Sequence, residues 1–157
     1  LISQTAEYAL RAVVFLGDRM GQPCTTAQLA DDIRAPPDYL AKVLQALSRA
    51  AIVHSQRGLH GGFILARDPG ELTMLDVVSA VDAFHRIDEC PLNRPRHSGG
   101  LCPLHRRMDS MMAVAEQALS DTTIEEVLEE PGLLCTFPCV EGSAPMEQET
   151  PDGSASP

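Results

Sequence analysis

Two adjacent prolines, Pro36 and Pro37, limit how the first third of the chain can fold. Proline cannot continue a helix, yet its preset φ suits the first turn of a new one. One helix must stop before Pro36, and another starts there. Upstream, Thr25-Thr26-Ala27-Gln28 has the form of a capping box, with Leu29, Ala30 and Ile33 as the buried side, so a short helix runs to about Arg34. Downstream, Leu40, Val43, Leu44 and Leu47 recur on one face of the next helix, and Asp38, Tyr39, Lys42, Gln45 and Arg49 fall outside that stripe. Two helices joined by so tight a turn form a helix-turn-helix unit.

The flanking segments complete an architecture. Ile2, Ala6, Ala9, Leu10, Val13 and Leu16 recur at helical spacing and predict an amphipathic helix over residues 3–20, with Gly21 just past its end. After the second helix of the unit, residues 52–55 and 63–66 read as two short strands joined by residues 56–62, where three glycines make a hairpin tip. The expected fold class is mainly α with a small β-hairpin wing, a winged helix-turn-helix over residues 1–67. Thr73 and Asp76 cap a further helix whose apolar side is Met74, Val77, Val78, Val81 and Phe84. Residues 90–101 read as an irregular basic loop with Arg94, Arg96 and His97. Pro103 opens a long helix, and Thr123-Ile124-Glu125-Glu126 a last short one, which together complete a second region over residues 68–130. Residues 131–157, with five prolines and no Lys or Arg, read as an acidic, disordered tail.

A net charge of -10 argues against a nucleic-acid partner until it is divided. Residues 1–67 carry +2, and the remainder -12. Phosphate binding depends on where cations sit, so a DNA-binding amino half survives. A helix with Tyr39, Lys42, Gln45 and Arg49 outward, and Pro37 and Asp38 at its leading end, matches a major groove in width. Arg57, beside Gly58 at the wing, can enter a narrow A·T-rich minor groove. The plainer alternative is an ordinary surface helix and a solvated hairpin residue.

No apolar run is long enough to span a bilayer and no charged leader opens the sequence, so the expected address is cytoplasmic, with no membrane partner. An odd count of five cysteines makes a disulfide framework a poor reading. Cys90, Cys102 and His105 instead give the spacing C-x11-C-x2-H in and after the basic loop, a donor set suited to an iron-sulfur cluster or zinc. Cys102 precedes Pro103 at a helix amino end, where the macrodipole favours thiolate. A simple thiol pair is the alternative. His54, His60 and His85 read as strand, wing-tip and helix-end residues, Cys24 as a turn residue, and Cys135 with Cys139 as an incidental tail pair. With no Gly-rich phosphate loop, H-E-x-x-H or G-x-S-x-G, nothing supports an enzyme.

Tyr8-Ala9-Leu10-Arg11, Pro37-Asp38-Tyr39-Leu40 with Lys42 and Leu44, Ser55-Gln56-Arg57-Gly58 with Gly61-Gly62 and Leu65-Ala66, and Leu72-Thr73-Met74-Leu75-Asp76-Val77 resemble the Rrf-two (Rrf2) family of bacterial winged-helix regulators, over about residues 2–128. Its members include the iron-sulfur cluster assembly regulator and the nitric-oxide-sensing repressor. The resemblance implies a homodimeric repressor that binds a double-stranded, A·T-rich pseudo-palindromic operator. It implies that Leu104, Met108, Met111, Met112, Ala115 and Leu119 form the dimer seam. It also implies a [2Fe-2S] centre on Cys90, Cys102 and His105, completed by His97 or by Glu7 from the other subunit. The chain departs from the family pattern in lacking the middle cysteine of the loop, whose place falls at Arg96. A cluster-free regulator switched by Cys90-Cys102 oxidation or a partner, and a small redox or iron-sulfur handling protein on the same scaffold, are the alternatives.

Overall fold

A computed structural model describes residues 2–58, 61–91 and 100–130. The expectations for His60, Arg94, Arg96, His97, Cys135, Cys139 and the acidic tail fall outside these residues. The described elements are α1 (Gln4–Asp18), α2 (Thr26–Asp32), α3 (Pro37–Arg49), β1 (Val53–Gln56), β2 (Gly62–Leu65), α4 (Met74–Val81), α5 (Pro103–Asp121) and α6 (Ile124–Glu129). Six helices and one antiparallel hairpin make a winged helix-turn-helix followed by a long helix.

Helix starts follow the capping chemistry in the sequence. Ser3 accepts from the Ala6 N–H at the head of α1. Thr25 with Gln28, Thr73 with Asp76 and Thr123 with Glu126 each form a reciprocal capping box, satisfying donors that a helix start leaves unpaired. The last two starts are also tied to each other. The Met74 N–H donates to Thr122 O and the Ile124 N–H to Leu72 O, at 2.9 and 2.8 Å, which fixes α6 beside α4.

Helix ends were less legible. α2 and α3 both close in Schellman motifs, in which the two residues after the cap donate back into the last turn. At α2 the bonds run from Arg34 N to Asp31 O and from Ala35 N to Ala30 O; at α3, from Ala51 N to Ser48 O and from Ile52 N to Leu47 O. The left-handed position is held by Arg34 (φ 54°) and Ala51 (φ 56°), where glycine would be unstrained.

The core gathers around α1. Ala6, Ala9, Ala12, Val13, Phe15 and Leu16 are buried against Leu29, Leu40, Leu44, Leu47, Ile52, Leu72, Val77 and Ile124. The hairpin pairs Val53 with Leu65 and Gln56 with Gly62, so each strand reaches one residue nearer the tip than the expected 52–55 and 63–66. The shift arises because Gly61 N–H turns back to Gly58 O, so that Gly62 already pairs. Gly58 takes a φ of 128°, open only to glycine in practice. Cys24 is more than a turn residue. It exchanges both backbone hydrogen bonds with Phe63, at 3.0 and 2.8 Å, and lays the α1–α2 connection along the wing. The fourth helix is shorter than expected, since Asp82 turns extended (φ -148°, ψ 109°) and leaves Phe84 beyond its end.

The wing therefore depends on a close backbone approach. A Cβ on Gly62 would lie 2.5 Å from Cys24 O and 2.6 Å from its carbonyl carbon, with no flexible side chain to yield. Gly62→Ala should lower the unfolding free energy by about 1–3 kcal/mol. Ala51→Gly should raise it by about 0.5–1 kcal/mol, by relieving the left-handed conformation net of glycine's entropy. Urea denaturation measures both; an unchanged Gly62→Ala midpoint would mean that the hairpin can leave Cys24 without penalty.

Candidate metal centre and nucleic-acid interface

Cys90, Cys102 and His105 meet at the amino end of α5, their donor atoms all within 4.8 Å of one another. Cys102 is the N-cap of α5 and His105 its third residue, so the pair occupies the positions that a capping box fills elsewhere in the chain. N-cap and N3 side chains converge by helix geometry alone, and here they bring a thiol and an imidazole together. Cys102 Sγ lies 3.1 Å from His105 Nδ1, and Cys90 Sγ 3.6 Å from the same nitrogen. Cys102 is buried, and Cys90 and His105 are half-buried.

The Cys102 thiol is drawn down to about 7. The largest cause is the backbone N–H of His105, opposed by burial and reinforced by the side chains of His105 and Cys90 and the N–H of Leu104. With no side-chain cap hydrogen bond at Cys102, the first amides of α5 turn toward sulfur, and thiolate is the form they favour. The donor chemistry thus fits an iron-sulfur centre, which takes thiolate and neutral imidazole.

Cys90 reaches the triad from an irregular segment that is fastened to α5. Arg86 forks onto Asp109, with Nε to Oδ1 and Nη2 to Oδ2 both at 2.6 Å, and its Nη1 reaches Glu116 at 3.2 Å. The Ile87 N–H adds a bond of 3.1 Å to Asp109 Oδ1. The Arg86 guanidinium holds the Asp109 carboxyl below the usual range.

Glu7 is elsewhere within the chain. It is exposed on α1 and paired with Arg11, whose Nη1 also reaches Ile33 O at 3.4 Å, at the end of α2.

The outer surface of α3 is polar and open. Leu40, Val43, Leu44 and Leu47 are buried, whereas Pro37, Asp38, Tyr39, Lys42, Gln45 and Arg49 are exposed, as are Arg57 and Gly58 on the wing. Tyr39 differs from the others. Its hydroxyl shares a hydrogen bond with Thr5 of α1, and its ring meets Tyr8 edge-on at 5.9 Å. It braces α3 against α1 as well as facing solvent.

α5 has two unlike faces. Leu104, Met108, Met111 and Val114 are 44–72% exposed. Met112 and Ala115 are half-buried, and Leu119 is 8% exposed, covered by its own chain. Val114 was not singled out from the sequence, although it lies three residues after Met111 on the open face. Among the described residues no helix is long and apolar enough to cross a membrane.

An HTH-type transcriptional regulator of Mycobacterium tuberculosis is 31% identical over 128 residues, 80% of each chain. The HTH-type regulator IscR of Xenorhabdus nematophila is 26% identical over 129 residues, covering 81% of this chain and 78% of its own length. The solved structure of CymR, the global cysteine regulator of B. subtilis, superposes with a TM-score of 0.68 at 21% identity over 82% of this chain and 95% of its own, a likeness of fold. The family model described as Rrf2, iron-dependent transcriptional regulator, matches residues 2–130, and the chain belongs to the Rrf2 family.

Proposed function

We propose that the protein is a homodimeric, cytoplasmic repressor that binds an A·T-rich pseudo-palindrome and reports iron-sulfur, redox or nitric-oxide status through Cys90, Cys102 and His105. The observation that carries this reading is the division of α5, which has a metal-type donor triad gathered at its amino end and an exposed apolar stripe along one side. In this reading residues 1–67 are the DNA-binding unit and 68–130 the sensing and dimerising unit.

For DNA, the open face of α3 enters the major groove while Arg57 enters the minor groove at the wing. Gly58 lets the wing backbone come close. Lys42, Arg49 and Arg57 supply phosphate neutralisation, so affinity falls steeply with salt despite the net charge of -10. Pro37, Asp38 and Gln45 lie at the leading end and centre of the helix, where base edges are met. Tyr39 keeps the angle of α3 through its contact with Thr5 and Tyr8.

For assembly, Leu104, Met108, Met111, Val114 and Ala115 pack against a second copy about a two-fold axis, with Met112 at the margin. Leu119, buried within its own chain, backs this seam and does not enter it.

For sensing, Cys90, Cys102 and His105 hold a [2Fe-2S] centre, with Glu7 of the partner subunit or His97 as the fourth donor. Such a centre supplies reversible one-electron chemistry and reactivity toward oxidants and nitric oxide. The chain's own part is to present the sulfurs of Cys90 and Cys102 and Nδ1 of His105 at the positive end of α5. Occupancy shifts DNA affinity only as far as it favours one dimer geometry over the other. A second reading rests on the sulfurs of Cys90 and Cys102 lying within 4.8 Å of one another, near enough for oxidation to a disulfide after a small movement.

Arg57→Ala should weaken operator binding by about 1–3 kcal/mol and relax preference at the wing-contacted bases. Unchanged binding in a gel-shift titration would remove the assigned role. Replacing Met111 and Val114 with glutamate should yield monomers that no longer bind DNA, as read by sedimentation. His105→Ala separates the two sensing readings in anaerobically purified protein. On the cluster reading it bleaches or shifts the visible absorption and alters the response to oxidant. On the thiol reading the oxidant response persists, and Cys90→Ser or Cys102→Ser abolishes it.

A further inference from the structure

We propose that Arg86 and Asp109 form a positioning clamp for the sensor, fixing the segment after α4 onto α5 in the register that brings Cys90 to Cys102 and His105. The inference rests on the triad being the sensing site, and it concerns how the third donor is delivered there.

Cys102 and His105 need no help to meet, because both lie in the first turn of α5. Cys90 is different. It belongs to the segment after α4, residues 82–91, which has neither helix nor strand. Asp109 is one helical turn beyond His105 on the same face of α5. It accepts three hydrogen bonds from that stretch, two from the Arg86 fork at 2.6 Å and one from the Ile87 N–H at 3.1 Å. Cys90 is three residues beyond Ile87, a reach of at most ~10 Å, against a separation of ~6 Å along the helix axis between Asp109 and His105. The reach covers the separation. With the fork closed, Cys90 Sγ stands 3.6 Å from His105 Nδ1. With it open, the tether that sets the place of the third donor lengthens by several residues.

Magnitudes favour a positioning role over a stabilising one. The side chains of Arg86 and Glu116 are 35% and 36% exposed, and surface ion pairs contribute little to stability. Geometry is another matter. A planar guanidinium meeting a carboxylate through two parallel bonds defines both distance and orientation, and Asp109, at 19% exposure, is held by a backbone donor as well. Glu116, two turns farther along α5 than Asp109, steers the remaining arm of the guanidinium and so aligns the segment with the helix axis. Groups that orient metal-binding side chains without touching the metal act in this way.

The test uses the full chain, reduced and stripped of metal, with Arg86→Ala and Asp109→Ala beside the unaltered protein. Cobalt(II) is the probe, read by the absorption of its bonds to thiolate and imidazole. Both substitutions should weaken cobalt binding by about 10- to 100-fold, with Arg86→Lys intermediate because it keeps the charge and loses the fork. The rate at which diamide takes the two thiol hydrogens to leave a Cys90-Cys102 disulfide should fall in the same order. The thermal midpoint and dimer content should shift little. Equal cobalt affinity and equal disulfide rate in all variants would overturn the clamp. If the unaltered protein shows no thiolate-cobalt band, the metal-sensing reading fails, and the disulfide rates still decide the clamp. Should Arg86→Ala not fold, Arg86→Lys and Asp109→Asn provide the same two ratios.

Discussion

Burial of α1 is the constraint on which the other elements depend. The helix packs against α3, α4, α6 and β2, and it can do so because four of its seven buried residues are alanine or glycine. Ala6, Ala9 and Ala12 are fully buried and allow close approach, while Val13, Phe15 and Leu16 supply the apolar area that makes burial favourable. Near its end Gly17 faces Leu128 and Ile124 of α6, the Leu128 methyl 3.0 Å from where a Cβ would stand. One helix thus joins the helix-turn-helix unit to the last of the described helices. Its outer face carries Thr5 and Tyr8, which brace Tyr39 of α3, and Arg11, which reaches the carbonyl of Ile33. Any displacement of α1 would alter how α3 is presented.

The helix starts obey one geometric rule with two chemistries. At Thr25, Thr73 and Thr123 the N-cap and N3 side chains are oxygen-bearing, and they satisfy each other's backbone. At α5 the same two positions hold Cys102 and His105. These are poor capping groups and good metal donors. The exchange leaves the first amides of α5 without a side-chain oxygen, and they lower the Cys102 thiol instead. A local loss of helix-start stability is thereby linked to a reactive sulfur, a common arrangement where a site, rather than a fold, has been favoured.

How much could be read in the sequence follows from the range of each interaction. Capping boxes, the proline break and the stripe of α3 span four to eleven residues, and each is visible in a single window of sequence. Cys102 and His105 share that locality. The fastening of Cys90 does not, because Arg86 and Asp109 are 23 residues apart and nothing near either one names the other. The pairing of Cys24 with Phe63 is hidden for the same reason, since it involves only backbone. Arg34 and Ala51 were silent because left-handed helix ends announce themselves through glycine, and here glycine is absent. The apolar stripe of α5 was legible, but not which of its residues the rest of the chain covers. The spacing of an apolar stripe gives two edges, and only the tertiary packing decides that Leu119 is covered while Val114 stays exposed.

That division of α5 also explains why a small event at its amino end can matter at a distance. His105, Asp109, Met112, Glu116 and Leu119 follow one another at three- and four-residue steps, so they share the face turned to the rest of the chain. Leu104, Met108, Met111 and Val114 line the exposed side of the same rigid rod. A helix of 19 residues does not bend easily, so on the proposed sensing role a change in how Cys90 and Cys102 engage His105 would roll or shift it as a body. Where a second copy is seated on the open face, that movement is doubled by the two-fold axis. In the proposed dimer it would pass through α4 and α1 to the two α3 helices, whose separation would decide whether both half-sites are met at once.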